Sequence, residues 1–390
     1  MMKDEVTAVI SGLENFETAF REVREIFLSN LVMISEIPAP TFEERERVSF
    51  ILDRFSESNL LNTSTDEYGN ALGLLSGTSG DKNILIVSHI DTSVDSKTDH
   101  SASLGPGTIT GAAVGHNAVG LAAITILPAL IEKLDIHLKS NLILMGSAQS
   151  LGKGSIGGLR FFLSNTLHPI TAGICVEGMK LGEISHRSIG MMRCEIIYNT
   201  PENYDWKMFG RIGAIETLSE IISRIREIPI PNKPRTSISF GSIESGTAYS
   251  VIASEGILRF EIRSETEEMV KMLKHEIQDI VAEVSSNYGI GLIMNVVGQR
   301  KPGGIPFTHP LIASARDIMD EMNVKYSVQP NTSELSAFID SNIPAITLGI
   351  TNGTRKDRNT EEIEIEPMSQ GLKILLGLIL SIDRRDFDES

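Results

Sequence analysis

The ten residues Asn83-Ile84-Leu85-Ile86-Val87-Ser88-His89-Ile90-Asp91-Thr92 join an unbroken apolar run to a His-x-Asp triplet. An apolar run without strict alternation is the mark of a strand covered on both faces, as in a parallel sheet. In open α/β sheets ligands bind beyond the carboxyl ends of the strands, so the residues that follow such a run are where chemistry is expected. At a spacing of two, His89 and Asp91 project from the same face of an extended segment, so that one can ligate a metal while the other orients it. Taken alone, the triplet reads more readily as a solvated loop or a helix N-cap than as a metal ligand and its partner.

Outward from this strand, similar runs occur at 142–145, 173–176 and 343–350, and helix-like segments separate the first three. The run at 173–176 ends in the carboxylate of Glu177. Upstream, apolar residues recur at helical spacing over 16–37 and 43–57, with Pro38 and Pro40 breaking the two segments apart. Between the first two runs, Thr110-Gly111-Ala112-Ala113-Val114-Gly115-His116-Asn117-Ala118-Val119-Gly120 leads into an apolar helix, with Asn117 placed as its cap.

The middle of the chain changes character. Strand (193–198), helix (214–228), two strands (236–243 and 256–262), helix (265–286) and strand (291–297) follow in the order of a split βαβ, ferredoxin-like domain. Pro302, Gly303, Gly304 and Pro306 mark the return linker, and a helix at 310–322 resumes the larger domain. The expected fold is therefore α/β. A discontinuous three-layer α/β/α domain spans 1–190 and 302–390, and an inserted α+β domain spans 191–301.

Bulk composition narrows the function. A chain of 390 residues with 41% hydrophobic content supports two cores of ordinary size. With 35 basic against 51 acidic residues, the net charge of −16 repels phosphate backbones and anionic lipid surfaces, so neither nucleic acid nor a membrane is an expected partner. The first six residues carry acidic groups and no apolar core, unlike a secretory signal, and the expected location is cytoplasmic. The greasiest stretches, 120–131 and 375–382, fall short of the roughly 20 residues needed to cross a bilayer and are expected as buried helices. Cys175 and Cys194 lack the paired spacing of a structural zinc site, so any metal must be held by His and carboxylates.

Taken together, these segments resemble the superfamily of dinuclear zinc amidohydrolases and metallopeptidases that contains aminoacylases, carboxypeptidase G, peptidase T and succinyl-diaminopimelate desuccinylase. The likeness runs from about Leu31 to Leu380. Glu36-Ile37-Pro38-Ala39-Pro40-Thr41-Phe42-Glu43-Glu44 is similar to the family's opening helix break, and Asp66-Glu67-Tyr68-Gly69-Asn70 to its first strand signal. The resemblance implies that His89 is a metal ligand, that Asp91 orients it, and that Glu177 is a later carboxylate ligand. It implies a lid and dimerisation role for the inserted domain, hence a homodimer, with Arg263 matching the family's closing lid strand. The implied ligand is a small peptide or an N-acyl amino acid.

Several positions depart from the family pattern. His116 stands where an Asp bridges both metals, Ser150 where a Glu serves as general base, and Leu151 where a second Glu is a ligand. Asp357 stands where a His binds metal, and Tyr204, two residues before Trp206, where the lid offers a His. No carboxylate lies between Gly146 and Gly158. These departures lead to the expectation of a broken dinuclear site and a non-catalytic or strongly impaired homologue. The alternative is an amidohydrolase with one metal (zinc, or manganese or iron) on His89, His116 and Glu177, with Asp91 or Asp357 as proton acceptor. A further reading takes Gly152-Lys153-Gly154-Ser155-Ile156-Gly157 as a dinucleotide fingerprint, but its first Gly follows the strand by too many residues.

Overall fold

A computed structural model describes residues 8–200, 212–331 and 333–385. The chain divides into two compact units, Met1–Ser188 with Gly304–Ser390, and Ile189–Gly303.

In chain order, the first unit contains α1 (Phe16–Glu36), α2 (Arg45–Glu57), β1 (Leu61–Thr65), β2 (Ala71–Leu75), β3 (Asn83–His89), β4 (Ser103–Leu104) and β5 (Thr108–Ala112). A π-helical turn, Val114–Ala118, then runs into α3 (Val119–Lys133), followed by β6 (Asn141–Ser147), α4 (Gly157–Asn165), β7 (Ile170–Glu177) and β8 (Glu183–Ser185). The insertion supplies β9 (Gly190–Asn199), α5 (Ala214–Glu227), β10 (Thr236–Ser245), β11 (Glu255–Ser264), α6 (Glu267–Tyr288) and β12 (Gly291–Arg300). The first unit resumes with α7 (Pro310–Glu321), β13 (Ser327–Val328), α8 (Leu335–Asp340), β14 (Ala345–Gly349), β15 (Gly353–Arg355), β16 (Thr360–Glu364) and α9 (Met368–Arg384).

The main sheet has the order β1-β2-β6-β3-β7-β14-β8-β13, and its centre, β6-β3-β7-β14, is parallel throughout. Every residue of β3 is buried, as its unbroken apolar run predicts. Its side chains alternate between two cores. Ile84 and Ile86 pack with Leu121 and Leu375 on one face, whereas Leu85 and Val87 pack with Leu159 and Phe338 on the other. That division makes the unit three-layered. Helix α3 is buried on nearly every side, as an all-apolar helix must be. The segment Val114–Lys133 is long and apolar enough to cross a membrane, but 89% of its most apolar window is packed inside the protein.

Close approach brings the helices onto the strand ends. At Gly120 a Cβ would lie 2.5 Å from Ser88 Oγ and 2.6 Å from the Val176 carbonyl oxygen, so only glycine lets α3 begin against the ends of β3 and β7. On the other face, the Phe338 ring of α8 fills the space where Gly173 of β7 would carry a Cβ.

The inserted unit is a four-stranded antiparallel sheet in the order β10-β11-β9-β12 with α5 and α6 packed on it, the ferredoxin-like arrangement expected from its element order. Residues 66–70, likened above to a strand signal, instead form the turn between β1 and β2. There Asp66 Oδ1 accepts from the backbone N–H groups of Tyr68 and Asn70, and a turn closed by a carboxylate leaves no ladder partner at those positions. The strands of two or three residues, β4, β8, β13 and β15, escape sequence reading because they are too short to show a period. Phe338→Ala is expected to lower stability by about 3–5 kcal/mol, measured as a shift in the urea unfolding midpoint, because the cavity would open on the rigid backbone at Gly173.

Candidate metal centre

His89 ends β3 and Glu177 ends β7. The parallel register pairs Val87 with Cys175, so two residues further on the two side chains leave the sheet side by side. The third group, His116, comes from the π-helical turn that precedes α3. One donor atom from each of His89, His116 and Glu177 lies within 4.8 Å of the others. The two imidazoles meet edge to face, with centroids 4.8 Å apart. His89 is buried, while His116 and Glu177 remain partly open to solvent.

Each donor is held from behind. His89 Nδ1 faces the Asp91 carbonyl at 2.9 Å and Asp91 Oδ1 at 3.2 Å, which leaves Nε2 for a ligand position. Asp91 Oδ2 in turn accepts from Thr41 Oγ1 at 2.7 Å and from the Leu151 N–H at 2.8 Å. The carboxylate of Glu361, on β16, accepts from the backbone N–H groups of Gly115 and His116 at 3.0 and 2.8 Å and so fixes the turn that carries His116. Asn117 is not a helix cap. Its amide donates to the carbonyls of His89, Ile90 and Asp91.

Burial and charge set the protonation states. Burial opposes a charge on His89, but the hydrogen bond to Asp91 and the nearby carboxylates of Glu334, Asp91 and Glu177 outweigh it and raise the imidazole to about 9. Burial, followed by the proximity of His89 and Arg355, lowers His116 to about 3, so its ring is neutral near pH 7 and one nitrogen keeps a free lone pair. Glu177 is held above the usual carboxylate range, chiefly by burial and then by Glu334 against the opposing pull of His89. Asp91 lies below that range because the His89 hydrogen bond and charge, the Leu151 N–H and Thr41 overcome its burial.

Glu334, which sequence reading did not single out, precedes α8 and is buried. The only signal in the sequence is an acidic residue ahead of a short apolar helix, which ordinarily reads as a charge on a helix end. Among the other sequence-derived candidates, Ser150 is buried with its hydroxyl unpaired, and Leu151 contributes its backbone N–H. Asp357 is exposed in the β15–β16 turn, where Oδ1 accepts from the N–H groups of Asn359 and Thr360, and it does not join the cluster. Arg263 pairs with Glu261 within the inserted sheet. Tyr204 and Trp206 lie outside the described residues. The glycines at 152 and 154 fall in a short 3-10 turn before α4 begins at Gly157.

Residues 210–289 match the family described as a peptidase dimerisation domain. Among solved structures, the di-peptidase Dug1p from Saccharomyces cerevisiae superposes with a TM-score of 0.76 at 13% identity, over 96% of this chain and 99% of that one. Aminopeptidase PepT from Bacillus cereus gives 0.68 at 15% identity, over 92% and 98%. YXEP from Bacillus subtilis, described as a dinuclear metal-binding peptidase of the M20 family, gives 0.64 at 14% identity, over 93% and 99%. The fold is that of the M20 peptidases. No curated protein matches the sequence. Within this M20 fold, His89, His116 and Glu177 stand at the carboxyl edge of the parallel strands, where α/β sheets place their ligands.

The His89–Asp91 pair gives a signed expectation for metal-free protein. With His89 raised to about 9, the stability from its charged form is complete below the unfolded value near 6.5 and is lost as pH rises from there to about 9. In chelator, the urea midpoint should fall across that window, and His89→Gln should flatten the fall.

Proposed function

We propose that the protein is a mononuclear-metal homologue of the M20 peptidases that binds a small peptide or N-acyl amino acid at one divalent ion and hydrolyses it far more slowly than a two-metal enzyme would. The observation that carries this reading is the convergence of His89, His116 and Glu177 from three separate elements to within 4.8 Å. The donor set fits one zinc ion, with manganese or iron as alternatives, because two imidazoles and a carboxylate leave coordination positions for water and ligand.

A second ion has too few donors. A bridging carboxylate holds two metals about 3.5–4 Å apart, whereas the nitrogens of His116 point outward from the ring. Leu151 offers no lone pair, and the Asp357 carboxylate is engaged in its own turn.

When bound, the ion supplies Lewis-acid polarisation of a carbonyl and acidifies water. Asp91 fixes the His89 ring, Glu361 fixes the backbone of His116, and the buried, unpaired Ser150 hydroxyl could bond to a ligand but lacks the basicity of a carboxylate. A positioned general base contributes about 10²–10⁴-fold, and its absence from the loop after β6 sets the expected deficit. Ligand binding is then the main business of the site, which agrees with a regulatory or assembly role.

Protein purified without chelator is expected to hold close to one equivalent of metal, and His89→Ala to lose it. Less than a tenth of an equivalent after incubation with zinc, manganese or iron would sink the reading. On a panel of N-acyl amino acids and dipeptides, turnover should be weak and abolished by Glu177→Ala, while rapid turnover would show that the base comes from elsewhere.

The reading includes a homodimer formed through the inserted domain, supported by the dimerisation-domain match and by exposed apolar side chains on that unit, among them Ile243, Ile293 and Val296. Sedimentation velocity should give twice the chain mass, and Ile293→Asp should shift it toward monomer.

A further inference from the structure

Glu334 is 4% exposed, it makes no side-chain cap bond to α8, and its charge acts on His89, Glu177 and Cys175. A buried carboxylate is ordinarily paired or faces a cation, because leaving water uncompensated is costly. Its place in the fold follows from the packing of α8. Phe338 presses on Gly173, and Leu335, next to Glu334, shares a core cluster with Cys175, on which the charge of Glu334 also acts. Glu334 therefore lies toward the end of β7 that carries Glu177. Its charge acts on both Glu177 and His89.

The site thus gathers two carboxylates, Glu177 and Glu334, with no basic side chain paired to either at hydrogen-bond distance among the described residues. Asp91 differs, since Thr41, the Leu151 N–H and His89 already satisfy it. A divalent ion between two neutral imidazoles and these two carboxylates makes a set without net charge.

We propose that Glu334 is the second carboxylate of the metal centre, supplied from the segment before α8 and facing the ion from outside the ring of three donors, through one of its water ligands. This rests on the mononuclear reading above and adds to it. The loop after β6 has no carboxylate to offer, and the charge it lacks arrives from a different element.

The test uses full-length protein stripped with chelator. Zinc and manganese binding are measured by calorimetry for wild type, Glu334→Gln and Glu177→Gln, together with the urea midpoint of each metal-free protein. Glu334→Gln is expected to weaken metal binding about 10- to 100-fold, as loss of an outer partner does. The metal-free midpoint should stay close to that of wild type, so that the loss of affinity is not a folding defect; a purely structural role would lower that midpoint.

If Gln prevents folding, Glu334→Asp withdraws the charge by one methylene and should weaken binding several-fold. Affinity within twofold of wild type in the folded variant overturns the role of Glu334 and leaves the three-ligand site standing. Wild type that takes up no metal overturns both readings, and the two failures are thereby distinguished.

Discussion

Three carbonyl groups in a row, those of His89, Ile90 and Asp91, turn inward where β3 leaves the sheet. Water is excluded there, so each must find a donor. The Asn117 amide reaches all three, and Arg47, almost wholly buried, adds a bond to Ile90 while its guanidinium also holds Ile37. These bonds tie α1, α2 and the π-helical turn to a single point on β3. The imidazoles of His89 and His116 meet because Asn117 anchors the segment that bears His116 to the segment that bears His89.

The same point is electrostatically unbalanced. Asp91 is satisfied by donors on three sides, whereas the partly open Glu177 and the buried Glu334 have no basic side chain paired to them at hydrogen-bond distance among the described residues. In metal-free protein the hydrogen bond to Asp91, and after it the charges of Glu334, Asp91 and Glu177, hold the proton on His89 against its burial. A divalent ion answers the imbalance more fully. The local excess of negative charge and the stiffness of the donor positions thus arise from one arrangement, a strand end whose backbone is fully bonded and whose surrounding carboxylates are not.

Much of this was legible in the residues. The unbroken apolar run of β3 announced a strand covered on both sides, and its side chains do divide between two cores. The alternation of strands and helices in the insertion announced its ferredoxin-like form, because each segment there has the length and period of its own element. His89, His116 and Glu177 were reachable because each follows or precedes an apolar segment at a strand or helix end.

Asp357 illustrates the limit. In sequence it occupies a ligand position, but in the fold its carboxylate closes a local turn, since bonds to N–H groups two and three residues away form without any tertiary cost. Local patterns, then, determined which segments become strands and helices and which side chains stand at their ends. Only the tertiary structure decided that His116 turns toward His89, that Asn117 serves carbonyls rather than a helix end, and that the charge of Glu334 reaches Glu177. Those outcomes depend on contacts between residues tens to hundreds of positions apart, and burial, which no local pattern encodes, made their charges matter.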